Sequence, residues 1–114
     1  MSHRAWICSQ LSADFAGLRL EHRPTPRCGP GEVRVRVRAA ALNFPDLLMS
    51  QGKYQHRPPL PFVAGMECAG EVVERDAGVD WPALGDAVCF GAHAGAFTEQ
   101  LVAPASALRP LPRG

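Results

Sequence analysis

The stretch "LNFPDLL", Leu42 to Leu48, sets Asn43 and Asp46 three residues apart with Pro45 between them. A carboxamide that donates and accepts, beside a carboxylate that only accepts, is a pair able to face a substrate. It is equally a helix start. Asn43 suits the N-cap, where its side-chain oxygen accepts an N–H of the first turn. Pro45 then falls at an early helical position, where a missing N–H costs nothing. Asp46 falls at N3, where its carboxylate meets the positive end of the helix dipole. That cap accounts for the pair without any ligand, so the residues alone leave both readings open.

Two other groupings bear on chemistry. "CFGAH" puts Cys89 and His93 four apart. A metal site needs three or four ligands, so the pair alone makes none. Arg34, Arg36 and Arg38 alternate with Val33, Val35 and Val37. They form either an anion-binding stripe or a wet strand face beside Glu side chains, and the near-neutral charge favours the second.

The elements that must position these residues are mostly strands. The strict period of two in "GEVRVRVRAAAL" buries one face and wets the other. "RAWICSQ", "GEVVE", "GDAVCFG" and "AFTEQLVAP" read as further strands. A single helix is expected from the opening stretch, with Phe44, Leu47 and Leu48 as its apolar face and Gly52 at its C-terminal cap. Eleven Pro and eleven Gly cluster as turn signals, which favours many short strands in a barrel or sandwich.

Composition narrows the class. A length of 114 residues with 46% hydrophobic content is one domain's worth. The net charge of +1 argues against a nucleic-acid partner. No apolar run approaches the roughly 20 residues that span a bilayer, so no membrane partner is expected. The start, "MSHRAWICSQL", is not a signal peptide, and a cytoplasmic protein with reduced thiols follows. Cys8, Cys28, Cys68 and Cys89 contain no C-x-x-C and read as small buried hydrophobes.

The order of motifs says more. "GPGEVRVRVRAAALNFPDLLMSQGKY", "PPLPFVAGMECAGEVVE", "GVDWPALGDAVCF" and "GAFTEQLVAP" follow one another. Together they resemble the N-terminal, GroES-like domain of the medium-chain dehydrogenase/reductase superfamily. Within it they are similar to the zinc-independent quinone oxidoreductase branch, which includes zeta-crystallin. The resemblance runs from about Arg4 to Arg113. One departure is Gly85-Asp86-Ala87-Val88, where the family often has G-D-R-V.

The resemblance implies a mainly β fold, a GroES-like, partly open barrel with one or two short helices. It implies such a domain over residues 1–107 and a linker over 108–114. Zinc-dependent relatives carry a Cys where this chain has Asn43, a His where it has Met66, and a four-cysteine lobe that is missing here. Met66 and Asn43 are poor zinc ligands, so no metal is expected. The chemistry implied is hydride transfer from NADPH to a quinone or an α,β-unsaturated carbonyl. Asn43 and Tyr54 are then the catalytic candidates, with Asn43 and Asp46 as cofactor contacts. Tyr54 would donate its hydroxyl to a developing enolate, and Asn43 its amide to a cofactor hydroxyl or substrate oxygen. Glu67 reads as structural, Met66 as packing, and His56 and His93 as solvated loop residues, His93 with a place beside the cleft.

No G-x-G-x-x-G follows a strand in these residues. The dinucleotide-binding half of the family is therefore expected outside this chain, in an enzyme about three times as long that works as a homodimer. The isolated chain is expected to be inactive. Two alternatives share the fold: a non-enzymatic GroES-like scaffold module, and an enoyl-reductase module of a larger synthase.

Overall fold

A computed structural model describes residues 1–112. Its strands are β1 (Ser2–Cys8), β2 (Leu18–Pro24), β3 (Glu32–Ala41), β4 (Phe62–Val63), β5 (Glu67–Arg75), β6 (Ala87–Gly91), β7 (Gln100–Pro104) and β8 (Leu108–Pro110). A helix, α1 (Phe44–Gln51), follows β3, and a short 3-10 turn, Ala105–Ala107, precedes β8.

The strands form two antiparallel sheets. One has the order β2-β1-β4 and the other β7-β3-β5-β6-β8. The stretch after β6 stitches them together. Trp6 donates its N–H to the Phe97 carbonyl at 2.9 Å, and Glu99 donates to the Arg4 carbonyl at 2.9 Å. Glu99 in turn accepts the Val37 N–H at 3.0 Å, so one short segment touches both sheets. The result is the partly open, GroES-like barrel that the motif order implies.

The valine alternation behaves as expected. Val33 and Val35 are fully buried and join Val72, Val88, Leu101 and Leu108 in one core. The arginines on the other face meet glutamates of β5. Arg34 reaches Glu74 at 3.4 Å, and Arg36 and Arg38 reach Glu71 at 3.6 and 2.6 Å. The exposed Arg36 and Arg38 pairs are worth little singly, and the more buried Arg34 is held by Glu74 and Gln100; the three make a salt-bridged face, not an anion site. A register shift between Val37 and Ala39 ends the alternation. Beyond it Ala39, Ala40 and Ala41 are exposed on both faces.

Several expectations need correction. Residues 18–24, 62–63 and 108–110 are strands that the sequence pattern does not announce. β2 is an edge strand with no buried residue, so no alternation marks it. β8 opens the segment expected to be linker, and Leu108 pairs there with Phe90. The helix buries a different face. Phe44 is 70% exposed, whereas Asp46, Met49 and Ser50 are buried. The i, i+3, i+4 spacing is right but its phase is shifted by two residues. Ser50 can lie inside because its hydroxyl donates to the Leu47 carbonyl at 2.8 Å.

Candidate functional site

The register of two strands builds the site. Ala41 on β3 faces Glu67 on β5, and Glu67 faces Gly91 on β6, so the three ends lie in one row. Asn43 is two residues past that row and Met66 one residue before it. Ala92, one residue past the row, donates its N–H to the Met66 carbonyl at 2.9 Å. The positions that zinc relatives fill with Cys and His therefore leave the sheet at the same end.

Asn43 sits at the N-cap of α1 with extended backbone (φ −116°, ψ 156°). It and Asp46 are arranged as a capping box, but the hydrogen bonds are lopsided. The Asn43 N–H donates to Asp46 Oδ2 at 2.8 Å. The Asp46 N–H donates to the backbone carbonyl of Asn43 at 3.0 Å, and no side-chain cap bond from Asn43 closes. The Asn43 amide nitrogen instead donates to the Ala41 carbonyl at 3.4 Å, a weak contact. The half-exposed carboxamide is thus only lightly engaged.

Asp46 is different from what an accessible cofactor contact requires. It is only 6% exposed, and its Oδ1 is buried with no partner. Burial pushes its carboxyl above the usual range; the Asn43 N–H bond pulls it back and the nearby Glu67 charge pushes it up.

Tyr54 lies past the other end of the helix. Gly52 caps that end at φ 75°, and the Lys53 N–H returns to the Leu48 carbonyl at 2.8 Å. Eight helical residues rise about 12 Å, so α1 separates Asn43 from the half-buried Tyr54. His56 and His93 do come together. Their rings stack with centroids 4.1 Å apart and planes 23° apart, joining the loop after α1 to the loop after β6. Both side chains are exposed. His93 is thus tied to His56, and among the described residues no three of His, Cys, Asp and Glu converge as a metal site.

Two hollows flank this end. The larger, about 730 Å³, is floored by Ala39, Ala40, Ala69 and Ala107 with Cys68 beside them. Burial pushes the Cys68 thiol up to about 11, with Cys89 adding to the shift, so it is not a nucleophile at neutral pH. The smaller, about 510 Å³, lies between the β1–β2 hairpin and α1 and has Asp46 in its lining. The isolated oxygen of Asp46 and the histidine stack are features that sequence reasoning missed. Neither has a local signal, since both depend on contacts between distant segments.

Fold and site define a class: a GroES-like domain whose helix start stands at the open end of its larger sheet. The chain belongs to the alcohol dehydrogenase GroES-like domain family, whose model matches residues 29–113. It is 36% identical over 110 residues to quinone oxidoreductase-like protein 2 of Rattus norvegicus, covering 96% of this chain and 31% of that protein. It is 43% identical over 91 residues to the synaptic vesicle membrane protein VAT-1 homolog of Rattus norvegicus, covering 78% and 22%. The quinone oxidoreductase of Thermus thermophilus, solved also in complex with NADPH, has a TM-score of 0.79 at 35% identity. That match covers 97% of this chain and 33% of the other. The human VAT-1 homolog-like protein has a TM-score of 0.88 at 31% identity, covering 98% and 36%. The chain thus spans about a third or less of the length of these relatives. No helix among the described residues is long and apolar enough to cross a membrane.

Proposed function

We propose that this chain is the substrate-side domain of an NADPH-dependent reductase of quinones or α,β-unsaturated carbonyls. The proposal includes a metal-free mechanism and a cytoplasmic, homodimeric parent enzyme. Residues 1–107 form the domain and 108–114 lead toward the nucleotide-binding half, even though 108–110 pair as β8 on the way. The observation that carries the reading is the common exit of Asn43 and Met66 from the β3–β5 ladder. A Met and a carboxamide there hold a hydride acceptor in place far better than they hold zinc.

The nicotinamide, when bound, supplies the hydride. The residues present fit it in part. The Asn43 carboxamide is half-exposed and lightly bonded, so it is free to meet a ribose hydroxyl or the substrate carbonyl. Asp46 supports it by fixing the Asn43 backbone, and orders the cofactor side only through that bond. Tyr54 stands beyond the helix as a donor that reaches the substrate when its loop closes. Donors aimed at a developing enolate oxygen lower the barrier because they are already oriented. The 114-residue chain alone is inactive in this reading, because it has no glycine fingerprint for the pyrophosphate.

The test is NADPH oxidation with p-benzoquinone or an enal, made on the longest polypeptide that carries these residues, with a chelator present. Turnover should persist with chelator, and Asn43→Ala should lower kcat. Absence of acceptor-dependent oxidation, or its loss to the chelator, would sink the proposal.

A further inference from the structure

β2 is the outer strand of its sheet and, at seven residues, the longest sheet edge among the described residues. The hydrogen bonds of β1 decide which of its backbone groups are free. Trp6 turns its N–H to the Phe97 carbonyl and its carbonyl to the Ala64 N–H at 2.9 Å, and the Arg4 carbonyl takes the Glu99 N–H. All of these lie on the side of β1 away from β2. Bonded and unbonded pairs alternate in an antiparallel ladder. So His3, Ala5 and Ile7 hold their partners Arg23, Glu21 and Arg19, and Leu18, Leu20 and His22 point their backbone groups outward. Leu18 uses its N–H on the Phe15 carbonyl at 3.0 Å. The N–H groups of Leu20 and His22 and the carbonyls of Leu18, Leu20 and His22 remain along the edge, a template on which another strand can add. Trp6 stands opposite Leu20 on one face of this sheet, and both side chains are exposed.

We infer that the strand which adds there is β2 of a second copy of this chain, antiparallel about a two-fold axis at Leu20. Charge and side-chain matching choose the occupant and the register. Centred on Leu20, Arg19 of each copy lies opposite Glu21 of the other, and Pro24 falls beyond the paired residues. Opposite charges facing across strands are favourable and like charges are not. An axis at Arg19 or Glu21 would set a charged residue against itself. An axis at His22 would set imidazole against imidazole and part the two Leu20 side chains, each against Pro24. An axis between residues would oppose outward groups with inward ones and close no ladder. At Leu20 the N–H and carbonyl of each copy bond reciprocally, and each His22 N–H meets the Leu18 carbonyl of the other copy. Trp6, Leu20, Leu20 and Trp6 then form one apolar row across the joined sheets, withdrawn in part from water. The contact is small, so it makes a weak, concentration-dependent dimer. It uses only residues of this chain and does not rest on the reductase reading.

The test is sedimentation and backbone amide exchange of the 114-residue chain at about 20 μM and about 1 mM. Mass should rise toward the dimer at the higher concentration. The amides of Leu20 and His22 should there exchange about tenfold more slowly, while those of Arg19, Glu21 and Arg23, already bonded to β1, should not change. Glu21→Arg sets like charges opposite each other and should weaken association about tenfold. Arg19→Glu combined with Glu21→Arg reverses both signs and should restore it. A monomer at both concentrations would overturn the proposal, as would a dimer that leaves Leu20 and His22 unprotected. Association unmoved by Glu21→Arg, or unrestored in the folded double variant, would overturn it too. Amide exchange of the unaltered chain decides the matter even if a variant fails to fold. Neither measurement uses NADPH or an acceptor, so this contact and the reductase reading fail separately.

Discussion

Asp46 accepts the Asn43 backbone N–H at 2.8 Å with one carboxylate oxygen and buries the other without a partner. One side chain therefore both secures the helix start and stores an unmet electrostatic demand next to it. The capping bond is favourable whether or not the carboxyl is ionised, but the burial penalty falls on the ionised form.

That distinction gives a pH dependence. Burial holds the Asp46 carboxyl above its ordinary 3.8 in the folded chain. The folded state then binds more protons than the unfolded state, so this group's contribution falls as pH rises from 3.8 through its raised value. Glu74 and Glu99 have the opposite sign. Hydrogen bonds from Cys28 and Arg4 hold them below their ordinary range, and their contribution is lost as pH falls through the lowered values. Asp46→Asn should remove only the first effect. Its urea midpoint, relative to the unaltered chain, should climb as pH rises from 3.8 through the raised value. A constant difference over that range would contradict a raised carboxyl.

Two glycines are fixed by space. At Gly65, φ is +100° and an added Cβ would lie 2.7 Å from the Phe97 nitrogen. At Gly70 it would lie 2.8 Å from the Arg36 carbonyl carbon, on the neighbouring strand. Gly65→Ala and Gly70→Ala should each lose more than about 1 kcal/mol, because the Phe97 ring and backbone stand in the way at Gly65, where φ is also positive, and the Arg36 backbone stands in the way at Gly70. Gly78→Ala, whose nearest neighbour is the Asp76 carboxylate at 3.5 Å, should unfold at nearly the same urea concentration as the unaltered chain.

Leu101 and Leu84 make a matched pair for the core. Leu101 is 6% exposed within the main cluster and Leu84 is 61% exposed. Leu101→Ala should cost about 2–5 kcal/mol through lost contacts and a residual void. Leu84→Ala should stay within about 0.5 kcal/mol. Denaturant midpoints of the two variants check both values.

The thiols should be quiet in the folded chain. Burial, with Glu74 nearby, pushes Cys28 up to about 12, and burial pushes Cys68 up to about 11. Neither should react with iodoacetamide at about pH 7.5, since the thiolate is the nucleophile. Both should react once the chain is unfolded, and peptide mass mapping at the two stages distinguishes them.

Much of the barrel is legible in residue order. The V-R-V-R-V-R run gives β3 its period, its buried face and its salt-bridged face, because a single strand carries the whole signal. Asn43, Pro45 and Gly52 mark both ends of α1 for the same local reason. The helix phase is not legible, since a two-turn helix can turn either face inward and the surrounding strands choose. Their choice leaves Phe44 outside and takes in Asp46 and Ser50. β2 and β8 were hidden because edge strands need not alternate. Asn43 could be weighed beside Met66 only through resemblance to known motifs. The register of Ala41 with Glu67 supplies the physical reason for their proximity. The approach of His56 to His93 joins residues 37 positions apart in sequence and leaves no periodic trace.

That histidine stack has a mechanical consequence. The loop after α1 carries Tyr54, and the loop after β6 runs on through Phe97 into the segment that holds both sheets together. With the two imidazoles face to face, the loops cannot open independently without giving up the stack. The surface stack thus links the loop that carries Tyr54 to the seam of the barrel.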